Sequence, residues 1–108
     1  MAHQWWPTYP KLERHYMGDL YVAKMKLFNA RTDVEYYELQ VFDSDWSKIP
    51  FASKSKVVQV SAHATKSVNI YVRGLDLDRV TYICSQSKTK KEDAEATVVS
   101  SRICSRVK

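Results

Sequence analysis

A chain of 108 residues with 44% hydrophobic content, 2 Gly and 3 Pro has the size and composition of a single globular domain. No stretch approaches the roughly 20 apolar residues of a membrane-spanning helix, so no membrane partner is expected. The net charge of +5 resides wholly in the second half: residues 1–54 hold seven basic and seven acidic side chains, and residues 55–108 hold ten and five. That excess permits salt-sensitive attraction to nucleic acid or to an acidic protein surface without selecting between them.

Residues 1–18 read as an aromatic, proline-containing arm or an irregular edge strand. Pro7 and Pro10 fix extended backbone and remove ladder donors. Trp5, Trp6, Tyr9 and Tyr16 offer large apolar area at low rotamer cost, as interface anchors do. Two readings of the arm stand side by side: it docks on a partner, or it folds back as a first strand. The opening residues lack the basic leader, apolar run and cleavage site of a secretory signal, which favours a cytoplasmic or virion location.

Residues 19–108 read as one β-sandwich domain. Period-two alternation begins at Asp19, with Tyr21, Ala23, Met25 and Leu27 on one face and Lys24 and Lys26 on the other, giving a strand over 19–28. Asn29 to Asp33 supplies turn chemistry, and Tyr37, Leu39 and Val41 then mark the inward face of a strand over 34–42. Asp43-Ser44-Asp45 is a turn, and Pro50 reduces Trp46 to Ala52 to a short edge piece. Val58 and Val60 mark a strand over 56–62, and Val68, Ile70 and Val72 mark another over 67–73. In the next strand, 79–87, Val80, Tyr82 and Cys84 are expected together on one face. A polar stretch over 88–96, with a helical turn at most over 90–96, leads to a last strand through Val99, Ser101 and Ile103. About seven short antiparallel strands at near-regular spacing imply an all-β sandwich.

The segment Arg73-Gly74-Leu75-Asp76-Leu77-Asp78-Arg79-Val80-Thr81-Tyr82-Ile83-Cys84 resembles the corner between the fifth and sixth strands of immunoglobulin-like and fibronectin type III-like domains. The resemblance implies a structural corner in which Leu75 or Leu77 packs and the Tyr82 hydroxyl bonds to upstream backbone. The strand over 19–28 holds no Cys to pair with Cys84, and no core Trp is evident on the third strand, which argues against an antibody-type domain. The order strand, short edge piece, strand, strand over Val34 to Val72 also resembles the first domain of periplasmic pilus chaperones, in architecture only.

Chemistry-bearing residues do not converge in this pattern. His3 and His15 lie in the arm and His63 in a turn, all expected to be solvated. Cys84 and Cys104 lack zinc-site spacing, and without an export signal two reduced, sheet-packed thiols are favoured over a cross-strand disulfide. No phosphate loop or catalytic motif occurs, and Asp43 and Asp45 lack the rest of a calcium loop. No catalytic residue, metal, cofactor or small-molecule substrate is therefore expected. Lys88, Lys90, Lys91, Arg102, Arg106 and Lys108 are the candidates for phosphate contact; the competing reading is a solvated hairpin tip with edge charges that deter aggregation.

The expectation is a non-enzymatic structural subunit that meets other protein subunits in an oligomeric assembly. By analogy with sandwiches of phage heads and tails, the assembly would be a bacteriophage virion. The alternatives are a nucleic-acid-binding module that uses the basic half, or a small adaptor or chaperone that offers a strand edge to a client.

Overall fold

The computed structural model describes residues 3–15, 18–32, 34–88 and 101–107. Among them run eight strands: β1 (Gln4–Trp6), β2 (Glu13–His15), β3 (Leu20–Phe28), β4 (Tyr36–Phe42), β5 (Val57–Gln59), β6 (Thr65–Arg73), β7 (Tyr82–Lys88) and β8 (Arg102–Arg106). A 3-10 helix, Gly74–Arg79, joins β6 to β7. The strands form two four-stranded antiparallel sheets, so the all-β sandwich expected from alternation is what the chain adopts.

In the first sheet β3 is central. It pairs along its whole length with β6, and its other edge carries β1 against Lys26–Phe28 and β2 against Leu20–Val22. Pro7 and Pro10 explain why that edge is filled by two short pieces: each lacks the N–H a continuous strand would need. The second sheet runs β5-β4-β7-β8, so β8 forms one of its edges.

The core lies where the inward faces meet. Ala23, Met25 and Leu27 of β3 oppose Tyr37, Leu39 and Val41 of β4, with Val68, Ile70 and Val72 of β6 and Ile83 of β7 completing the layer, all buried. Each large side chain so buried stabilises the fold by about 1.5–3 kcal/mol relative to exposure.

Three expectations require correction. Trp5 is not a surface anchor: it is buried in the core cluster, and its Nε1 donates to the Ile83 carbonyl at 3.0 Å. Pairing of β1 with β3 fixes the direction of its side chain and leaves it inside the sandwich. His3 is not solvated but 3% exposed. In β7 the inward residues are Ile83, Ser85 and Ser87, because β4 pairs Val41 with Ile83, Leu39 with Ser85 and Tyr37 with Ser87. A one-residue difference in phase turns every side chain over, so Tyr82 and Cys84 face outward.

A buried polar network compensates for the serines placed inside. His3 Nε2 lies 2.8 Å from Ser85 Oγ and 3.3 Å from the Ser85 carbonyl oxygen. A carbonyl only accepts, so Nε2 carries the proton and Nδ1 is left to accept from the Ser101 hydroxyl at 3.3 Å. At the opposite flank of Tyr37, Asn29 Nδ2 donates to the carbonyls of Val34 and Val60, while its Oδ1 accepts from the Arg31 N–H and the Tyr37 hydroxyl.

Candidate functional site

β8 is paired on one side only. Ser87 N–H donates to the Ser101 carbonyl and Val107 N–H to the Thr81 carbonyl, so the odd-numbered residues of this strand turn their backbone groups toward β7. Antiparallel alternation then points the N–H and C=O of Arg102, Cys104 and Arg106 away from the sheet. The Arg106 N–H is taken by the Thr8 carbonyl at 3.0 Å. Among the described residues, the outward groups of Arg102 and Cys104 have no backbone partner, which leaves them as unpaired positions on an edge that β1 lies close to and Thr8 meets at Arg106.

This edge is held firmly. Cys84 and Cys104 face each other across the β7–β8 ladder and are joined by a disulfide, which corrects the expectation of two free thiols. The earlier reading rested on the cell compartment, whereas strand register places the two sulfurs together. The bond fastens the edge strand to its neighbour from the outward face.

The same outward face carries an aromatic group. Phe42 and Tyr82 are cross-strand partners, and the Trp46 ring stacks parallel on Tyr82 with centroids 4.0 Å apart. The Arg102 guanidinium lies 5.4 Å above Trp46 and 5.5 Å above Phe42. Trp46 is 46% exposed and sits at φ 64 in the turn that follows β4. That turn is fastened by the Asp43 carboxylate, which accepts from the N–H groups of Asp45 and Ser47. Trp46 was not singled out as a contact residue because its strand neighbours gave no sign of a surface stack.

The other sequence candidates are scattered. Trp6 is half-buried and Tyr9 is exposed, both on the strand-and-turn edge of the first sheet, while Tyr16 lies outside the described residues. Lys88 pairs with Glu38 at 3.2 Å, and Arg102 lies over the rings just described. Arg106 is exposed at the far end of β8; Lys90, Lys91 and Lys108, like the helical turn over 90–96, fall outside the described residues. At the corner, Leu75 is 69% exposed and Leu77 half-buried, while the inward residue of the 3-10 helix is Asp76. Tyr82 stacks on Trp46, and its neighbour Ile83 takes the interior place.

Among the described residues, no three His, Cys, Asp or Glu side chains gather as a metal site would require. His3 and Ser85 have the spacing of a base and a nucleophile, but both are sealed between the sheets and the imidazole is oriented by a serine hydroxyl rather than a carboxylate. What the accessible surface offers is a strand edge flanked by rings and arginines, which suits contact with another chain.

The two facing antiparallel sheets define an immunoglobulin-like sandwich. No protein-family model matches the chain, nor does any curated protein. Among solved structures it is similar to a chain of the Salmonella enterica SafA pilin–SafB chaperone complex, with a TM-score of 0.68 and 16% identity over 98% of this chain and 52% of that one. It is also similar to the E. coli chaperone DraB, with a TM-score of 0.67 and 12% identity over 98% of this chain and 53% of that one. A PapD-like domain of human CEP192 gives a TM-score of 0.59 and 11% identity over 98% and 82% of the two chains. At these identities the likeness is one of fold, and this chain spans about half the length of the first two.

Proposed function

We propose that this protein is a non-enzymatic adaptor or chaperone-like subunit that receives an extended segment of a protein partner along the open edge of β8. The observation that carries the reading is the pair of outward backbone groups at Arg102 and Cys104, on an edge strand covalently fastened to β7. Main-chain pairing would supply affinity, and the adjoining Phe42, Trp46, Tyr82 and Arg102 would select side chains that project over the outward face. One of the similar structures is named as a chaperone and another is a pilin–chaperone complex, which supports a role in holding another chain. The disulfide favours an oxidising compartment over the cytoplasm. The bacteriophage-virion placement expected from the sequence gains no support from the fold or from these similar structures.

The test is Arg102→Pro, which deletes one outward N–H without touching the ladder to β7. Proteins retained by the wild type and by this variant are compared by mass spectrometry, after circular dichroism has established that both are folded. Hydrogen exchange is then measured on the recovered complex. The reading expects a partner that the variant loses and slowed exchange at the Arg102 and Cys104 amides; equal retention, or protection confined to other strands, would sink it.

A further inference from the structure

On the opposite side of the sandwich, a groove of about 580 Å³ separates β5 from β6. Both strands turn a backbone edge toward it. Glu35 and Leu39 of the β4 side bond to Val60 and Lys56, so the odd-numbered residues Val57 and Gln59 point away from β4. Their carbonyls are already capped by side chains: Ser55 Oγ donates to Val57 O, and Lys66 Nζ donates to Gln59 O at 3.3 Å.

The β6 edge is different. Tyr71 exchanges both of its backbone bonds with Ala52, at 2.8 Å each, and so faces away from β3. Ser67 and Asn69 share that direction by alternation, and among the described residues their N–H and C=O groups have no backbone partner there. The chain thus places one residue of its own, Ala52, on this edge and leaves the next five residues, Thr65–Asn69, open for about 17 Å at roughly 3.3 Å per residue.

Charge specifies the occupant. Lys54 and Lys66 line the groove, and the Glu35 carboxylate meets its lining by accepting from Gln59 Nε2 at 3.1 Å. Lys26 and Lys24 lie directly across from Ser67 and Asn69 on β3, both exposed on the outward face. Val57, which is 45% exposed, and Val68 supply apolar floor between these cations.

We infer that the β6 edge is a second docking site, which takes an extended acidic peptide segment of a protein partner by strand addition. The segment pairs with Ser67 and Asn69, ends against Ala52, and alternates carboxylates toward Lys24 and Lys26 on the outward face with apolar side chains toward Val57 and Val68. This site is separate from the β8 edge and stands or falls independently of it.

The probe is a hexapeptide that alternates glutamate and valine, acetylated and amidated, titrated into the full isotope-labelled chain; the control peptide carries lysine in place of glutamate. The amide signals of Ser67 and Asn69 are expected to shift and their exchange to slow. The double variant Lys24→Glu/Lys26→Glu, both exposed positions, should weaken binding by about tenfold or more, as should a salt increase to about 0.5 M. Equal binding of the lysine peptide, indifference to the charge reversal, an absence of shifts at millimolar peptide, or shifts confined to β8 would each overturn the inference.

Discussion

Cys84 and Cys104 occupy directly opposite positions of the β7–β8 ladder, at a pair whose backbone groups point away from one another. The disulfide between them is therefore the cross-link that holds the edge strand where the backbone ladder does not bond. It closes a loop with a sequence separation of 20, and a loop of that size contributes about 3 kcal/mol through restriction of the unfolded chain. Cys84→Ala/Cys104→Ala should lower the guanidinium unfolding free energy by about that amount while leaving the circular dichroism spectrum unchanged. Amide exchange should accelerate most in β8. If exchange rises evenly over both sheets, the bond is not a local fastener.

A second expectation concerns His3. Burial pushes its imidazole below the ordinary value of 6.5; the hydrogen bond to the Ser85 backbone opposes that shift and the nearby charge of Arg31 adds to it. The folded state thus holds a neutral imidazole at pH values where the unfolded chain already takes up a proton. The stability linked to this group is complete above pH 6.5 and declines as the pH falls from there toward the lower folded value. Urea midpoints should drop across that window, and His3→Gln should flatten the dependence. A variant with the wild-type slope would show that other groups govern it.

Asn29 forms a hub whose loss is expected to be costly. Its side chain serves the Val34 and Val60 carbonyls, the Arg31 N–H and the Tyr37 hydroxyl, and it is fully buried together with Tyr37. Asn29→Ala strands several polar groups at once, and a cost above about 3 kcal/mol is expected where each stranded group costs roughly 1–3 kcal/mol. Tyr37→Phe removes one of the four bonds and should cost about 1–2 kcal/mol. A double-mutant cycle between the two positions should show strong coupling; simple additivity would mean that the hydroxyl bond is energetically idle.

What the sequence made legible was the part of the fold written in alternation. The strands around Ala23-x-Met25-x-Leu27, Tyr37-x-Leu39-x-Val41 and Val68-x-Ile70-x-Val72 each put apolar residues on a single phase, and each is seen with that face inward. In β7 both phases carry apolar residues, Tyr82 and Cys84 on one and Ile83 on the other, so local pattern could not choose between them. The choice is made by Ser85 and Ser87 going inward, which is tolerable because His3 and Ser101 meet them from distant parts of the chain. Asn29 read as turn chemistry for the same reason, since its partners Val34, Tyr37 and Val60 converge only in the folded sandwich. The edge of β8 is a property of strand order, and no residue type announces it.

The last expectation follows from Asp76, which is buried on the 3-10 helix while its two partners are not. Its Oδ2 accepts from Arg73 Nη2 at 2.8 Å and its Oδ1 meets Arg79 Nη2 at 3.2 Å, with both arginine side chains more than half exposed. The two sides of this cluster are therefore unequal. Asp76→Asn leaves two arginines that water can hydrate at once, and should destabilise by only about 1 kcal/mol. Arg73→Ala/Arg79→Ala instead leaves a buried carboxylate without a counterion, for which about 3 kcal/mol or more is expected. Chemical denaturation of the three proteins at neutral pH ranks them directly. The double arginine variant should be the least stable. A reversed ranking would mean that the arginines serve mainly through their aliphatic stems rather than their charge.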